Sequence, residues 1–165
     1  MNQTILDQKK IVVEEIAGKF RESQSAVVIE YRGLTVAQVT TLRRKLREEG
    51  IELKVYKNSM AQRAAEAVGH KELVAELVGP NAIAFGKDAV APSRILSEFA
   101  IKNKALVLKG GLVEGRVVNA DMIKELAKLP NRDGMISMLL SVFQAPVRNF
   151  AYAIKQIAEQ REANQ

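Results

Sequence analysis

The chain has no cysteine and only one histidine, His70. The first absence excludes a disulfide framework, a thiolate metal site and a cysteine nucleophile, and it suits a reducing cytoplasm. With no second histidine and no thiol to join it, His70, placed in a loop after Gly69, reads as a surface side chain rather than a ligand or general base. No apolar run approaches the ~18 residues that span a bilayer. Met1 to Lys10 also lacks the apolar stretch and small-residue cleavage site of a signal peptide, so a cytoplasmic protein without membrane contact is expected. Aromatic residues make up 5% of the chain and follow no regular spacing, which argues against a stacking platform for single-stranded nucleic acid.

Nucleotide and acid–base motifs are missing too. Gly79 to Lys87 superficially looks like a phosphate loop, but its glycines stand seven apart, and Asp88 follows the lysine where Ser or Thr would hold Mg²⁺. Neither Gly110-Gly111 nor Gly115 completes a dinucleotide fingerprint. Glu14-Glu15 and Glu48-Glu49 are neighbours on helices, so their carboxylates diverge instead of flanking a substrate. The sequence therefore reads as a non-enzyme, with no cofactor and no metal.

What is present is a core and an uneven charge. In 165 residues, 47% hydrophobic and 27% charged, there is room for one domain, or one domain with an appendage. The net charge is +6. Between Tyr31 and Arg63 stand eight basic residues against three acidic ones, so one fifth of the chain carries nearly all the excess. From Asp133 onward three bases balance three acids. The two ends are built for different partners.

Periodicity supplies the elements. Thr4 to Asp7 suggests a capping box, opening a helix to about Glu22 with Ile5, Val12, Ile16 and Phe20 on its buried side. Ser25 to Glu30 is a short β-branched run, read as a buried strand. A loop at Tyr31-Arg32-Gly33-Leu34 leads to a second capping box, Thr35 with Gln38, and to a helix that stops at Gly50. Ile51 to Tyr56 alternates like a strand. Lys57 begins a further helix, capped by Asn58 or Ser59 with Gln62 in reach, ending near Gly69. Asn81 to Phe85 is a strand, Ala91 to Lys102 a helix with Pro92 in its first turn, and Ala105 to Leu112 a strand that can hairpin through Glu114-Gly115 to Val117-Val118. The order β-α-β, inserted helix, β-α-β gives an α+β fold. The expectation is a four-stranded sheet of split βαβ (ferredoxin-like) type, with helices packed on a face. Beyond Asn119 the reading is helical: Asn119 to Lys128, Asp133 to Gln144 after a break at Pro130-Asn131, and Val147 to about Glu162 after Pro146. The expected boundaries are 1–130 for the α+β domain and 131–165 for a helical tail.

On the helix after Thr35, Val36, Val39, Leu42 and Leu46 share one stripe, and Thr40, Arg43, Arg44 and Arg47 share an adjoining one. Planar guanidinium groups suit phosphate oxygens. Arg32 and Gly33 precede this helix. Lys57 and Asn58 begin the next, where free backbone N–H groups also favour anions, and Lys54 and Arg63 lie nearby. A solvated face neutralised by Glu48 and Glu49 explains the arginines equally well on geometry alone. The added cations favour RNA, read through shape and backbone. In the tail, Val147, Phe150, Ala151, Ile154, Ile157 and Ala158 fall on one stripe. A terminal helix of ~16 residues, about 24 Å long, needs something to bury against. A groove on a partner protein is the expectation, with packing on its own domain as the alternative.

At these residues the chain resembles a known family. Tyr31-Arg-Gly-Leu-Thr-Val36, Leu42-Arg-Arg-Lys-Leu-Arg47 and Lys54-Val-Tyr-Lys-Asn58 followed by Arg63 resemble the bacterial ribosomal stalk-base proteins, the tenth protein of the large subunit. The likeness runs on through Ala82 to Phe85, Lys109-Gly-Gly111 and the helical tail. It implies an N-terminal domain on large-subunit ribosomal RNA beside the eleventh protein of that subunit, and a C-terminal helix that carries dimers of the acidic stalk protein. Those dimers in turn recruit translational GTPases, while the chain itself catalyses nothing. Some members also bind the leader of their own messenger RNA. Mapped on this chain, RNA contact falls on Arg32, Gly33, Arg43, Arg44, Arg47, Lys54, Lys57, Asn58 and Arg63, and partner contact on the six tail residues. Because the tail is short, a small number of dimers is expected. A free-standing RNA-binding regulator that dimerises through its tail remains the alternative.

Overall fold

The computed structural model describes the backbone of residues 3–163 and the side chains of residues 7–131, 133–157 and 159–160. The chain divides after Leu129 into two units. In the first, the elements are α1 (Gln3–Glu22), β1 (Ser25–Glu30), α2 (Val36–Glu48), β2 (Glu52–Lys54), α3 (Asn58–Val68), a 3-10 turn (Lys71–Glu76), β3 (Asn81–Gly86), α4 (Ala91–Lys102), β4 (Val107–Val113), β5 (Arg116–Asn119) and α5 (Ala120–Leu126). The second unit is one helix, α6 (Arg132–Ala163), with its entry residues.

The sheet has five strands in the order β2-β3-β1-β4-β5, antiparallel throughout. Within it β3 lies between β1 and β2, the split arrangement. The expected four strands are corrected to five because Val113 and Arg116 close a hairpin through Glu114 and Gly115, both at positive φ, and β5 pairs along β4.

A larger correction concerns the layers. β1 and β3 are buried at almost every position, and successive side chains of a strand point to opposite faces. One face packs Val27, Ile29 and Ala84 under Leu42 and Leu46 of α2, Leu96 and Phe99 of α4 and Ile123 of α5. The opposite face packs Ala26, Val28, Ile83 and Phe85 under Ile16 and Phe20 of α1, Ala61, Ala64 and Ala65 of α3, and Leu73 and Leu77. Helices on a single face would leave that second set in water, at about 1.5–3 kcal/mol for each large side chain. The sheet is therefore covered on both sides.

Gly110 and Gly111 let β4 sit close to its neighbours. A Cβ on Gly111 would lie 2.6 Å from the carbonyl oxygen of Ala26 and 3.1 Å from Cα of Val27, and one on Gly110 would lie 3.0 Å from the carbonyl oxygen of Val118. The β1–β4 register shifts nearby, between Val28 and Ile29.

Local signals hold in part. Thr35 and Gln38 form the expected capping box, and α2 ends through Gly50, whose N–H donates to the Arg47 carbonyl at 3.0 Å. The box at Thr4 is not where the helix starts, since α1 is already helical at Gln3. At α3 the cap is Lys57, without a side-chain hydrogen bond. Asn58 Nδ2 instead donates to the Gly79 carbonyl at 2.8 Å and Gln62 Nε2 to that of Leu77 at 3.2 Å, tying α3 to the segment before β3. On the predicted α1 face Ile16 and Phe20 are buried and Val12 half-buried, while the side chain of Ile5 lies outside the described residues.

The tail departs from expectation at Pro146, which sits inside one continuous 32-residue helix. Proline lacks the N–H that the Val142 carbonyl would accept, yet the residues on both sides of it are helical. At the start of α6, Asn131 Oδ1 accepts from the Gly134 N–H at 3.0 Å, so the residue read as a breaker also caps the helix that follows.

Candidate nucleic-acid interface

Because the helices lie on two layers, the basic residues that sequence grouped together are divided by the sheet. Arg43 and Arg47, four apart on α2, stand on one side and line a cleft with Gly50, Ile51 and Lys54 at the β2 edge. Arg44 is exposed on the same helix but outside this cleft, and Arg32 is exposed in the β1–α2 turn. Gly33, at φ 91°, allows that turn to close against Ala105. Lys57 and Arg63 stand on the other layer, where they line a groove with Lys9 and Lys10 of α1. Sequence spacing does not group these two lysines with the others. They lie far from the basic region along the chain, and only the packing of α1 on α3 brings them to it.

The groups differ in how free their charge is. Among the described residues Arg32, Arg43, Arg44, Arg47, Lys57 and Arg63 have no carboxylate within 4.0 Å. Neutralisation of the arginines by Glu48 and Glu49 is thus not what the structure shows: Glu49 pairs with Arg94 at 3.5 Å. Lys54 is the exception. Its ammonium lies 3.1 Å from Glu52 and 3.4 Å from Glu15, and Lys19 closes the network at 2.5 Å from Glu52 and 3.6 Å from Glu15. The Lys19 hydrogen bond holds the Glu52 carboxyl below its ordinary range, with partial burial opposing and Lys54 assisting. Lys54 is therefore ion-paired within the first unit, and Asn58 donates its amide to the Gly79 carbonyl.

Along α6 the predicted stripe is exposed at Val147, Phe150, Ala151, Ile154 and Ile157, and the side chain of Ala158 lies outside the described residues. The stripe also begins earlier than expected. Ile136, Leu140 and Phe143 are exposed and continue it upstream with alternating spacings of three and four. That spacing is visible in the sequence, and treating Pro146 as a break hid it.

Known proteins match along both units. A family model described as ribosomal protein L10 matches residues 4–101, and one described as ribosomal protein uL10 C-terminal region matches residues 129–164. The chain is 62% identical over 159 residues, 96% of each chain, to the large ribosomal subunit protein uL10 of Oceanobacillus iheyensis. It is 54% identical to the proteins of that name from Shouchella clausii, over 96% of each chain, and Bacillus licheniformis, over 95% of each chain. With models covering most of the sequence and near-full-length relatives at this identity, the chain belongs to the ribosomal protein L10 (uL10) family.

Proposed function

We propose that the chain is a structural component of the large ribosomal subunit, holding ribosomal RNA at the stalk base through the first unit and carrying dimers of the acidic stalk protein on α6. The observation that carries the RNA half is the set of cations without carboxylate partners among the described residues, Arg32, Arg43, Arg44, Arg47, Lys57 and Arg63, in a chain of a ribosomal protein family. Exposed cations with no internal counter-ion gain most from releasing the counter-ions of a phosphate backbone. Lys54 and Asn58 contribute mainly by holding the β2 edge and the start of α3, with Gly33 shaping the turn that presents Arg32. Lys9 and Lys10 join the RNA surface.

The tail half rests on the exposed apolar stripe of α6, which suits a helix-in-groove contact. The acidic dimers then recruit translational GTPases indirectly, and the eleventh large-subunit protein sits beside the first unit on the same RNA. Binding to the chain's own messenger RNA leader follows if that leader copies the ribosomal site. A long helix with this spacing also suits self-association, which keeps the second reading, a regulator that dimerises through its tail.

The test replaces Arg43 and Arg47 by Glu in the full chain and measures binding to the stalk-base ribosomal RNA fragment across salt concentrations. A steep loss, with a shallower salt dependence, is expected, and unchanged binding by the folded variant refutes the assignment. In parallel, Phe150→Asp should release the acidic stalk protein and leave RNA binding intact. Loss of both would place the stripe in the core, and a concentration-independent dimer of the chain alone in light scattering would favour the regulator.

A further inference from the structure

Beside the basic cleft, on the α2 side of the sheet, lies a second groove bordered by only one of the proposed RNA-backbone contacts, Arg43. Its walls are Tyr31, Leu34, Val36, Val39, Leu53 and Val55, its volume is about 410 Å³, and Arg43 stands on its rim. This volume falls in the range of small-ligand sites, about 300–1,000 Å³. The two cavities share Arg43, Leu53 and Val55, so an apolar slot opens directly onto the Arg43–Arg47 cations. Val36 is 85% exposed and Val55 48%, although both are apolar and belong to the wall. Together they give the groove an apolar lining beside its cation.

An apolar lining with a cation at its rim suits an occupant that joins an apolar body to an anionic group. The side-chain hydroxyl of Thr40, also in the wall, donates to the Val36 carbonyl within its own helix. Among the described residues β2 pairs on one side only, with β3, and its Leu53 lines the groove, so backbone donors and acceptors of an edge strand border it. Tyr31 provides an aromatic wall. We propose that this groove receives a single unstacked base of the bound RNA, with the phosphates flanking it held by Arg43 and Arg47. Structured RNAs present such bases at bulges and loops, where aromatic side chains stack on them and backbone groups read their edges. The inference rests on the RNA-binding reading above and adds base recognition to what is otherwise backbone contact.

The test uses full-length protein and the stalk-base ribosomal RNA fragment, with Val36→Ser and Val55→Ser combined so that no charge changes, and with folding checked by circular dichroism. The expected result is about a tenfold loss of affinity, the scale of the apolar contact that two valine side chains give up, with the salt dependence unchanged. In chemical probing, one unpaired nucleotide protected at its base-pairing edge by the wild-type chain becomes reactive with the variant. Arg43→Gln serves as the contrast, since it should lower the salt dependence by about one phosphate contact. Affinity within twofold of wild type and an unchanged protection pattern, with Arg43→Gln still weakening binding, would overturn the base pocket and leave RNA binding standing. Failure of the wild-type chain itself to bind the fragment would remove the RNA reading and this inference together.

Discussion

Replacing Gly111 by Ala should destabilise the first unit severely although it adds one methyl group. The added carbon would lie 2.6 Å from the carbonyl oxygen of Ala26 and 3.1 Å from Cα of Val27, both backbone atoms of the central strand. Overpacking ordinarily costs about 1–3 kcal/mol, reduced when a side chain can change rotamer. Here no rotamer is available, so the cost belongs at about 3 kcal/mol, and β4 must move away from β1. For a unit of this size, about 4 °C per kcal/mol gives a fall in Tm of roughly 12 °C. Gly18→Ala is the internal contrast. Gly18 lies inside α1, and among the described residues a methyl group added there would meet nothing within 4 Å beyond its own helical turn, so alanine should stabilise by about 0.5–1 kcal/mol. Urea titration followed by tyrosine emission suits the comparison, since Tyr31 and Tyr56 are half-buried in this unit. A Gly111→Ala variant within about 1 kcal/mol of wild type would refute the steric argument, as would equal effects at the two glycines.

The Glu52 network predicts a pH dependence. The folded carboxyl titrates below its unfolded value, so its contribution is fully present above about pH 4.5 and is lost as pH falls through the depressed folded value. Because Glu52 is half-exposed, that contribution is small, on the order of 1 kcal/mol or less after solvent screening. Denaturation at pH 7 should therefore show Glu52→Gln less stable than wild type, and at about pH 3 the gap should narrow; a gap that widens in acid contradicts the assignment. In α6, Pro146→Ala restores a donor to the Val142 carbonyl and should raise helix stability by roughly 3 kcal/mol. The measurement is amide hydrogen exchange over residues 142–150, where unchanged protection would mean that two separate helices meet at the proline.

Much of this chain is legible in its sequence. The runs at β1 and β3, the Thr35–Gln38 capping box, the stop at Gly50, Pro92 in the first turn of α4 and the turn at Glu114-Gly115 are local. Each follows from side-chain periodicity or from the backbone conformations a residue permits. The apolar stripe of the tail and the arginines of α2 were legible for the same reason, since helical spacing assigns a residue to a face from sequence alone. What spacing leaves open is what lies opposite that face. A run such as Ser25 to Glu30 is apolar on both sides, and only assembly showed that α1 and α3 cover one side while α2, α4 and α5 cover the other. The same assembly split the basic residues between two layers and brought Lys9 and Lys10 to Lys57 and Arg63. It also set Glu15 beside Lys54, a contact across 39 positions that no pattern of neighbours announces. Sequence determined which residues could be buried or charged on a given surface, because that depends on each side chain and its near neighbours. Tertiary structure decided which charges are paired within the protein and which stand without a carboxylate neighbour among the described residues, because that depends on distances between residues far apart in the chain.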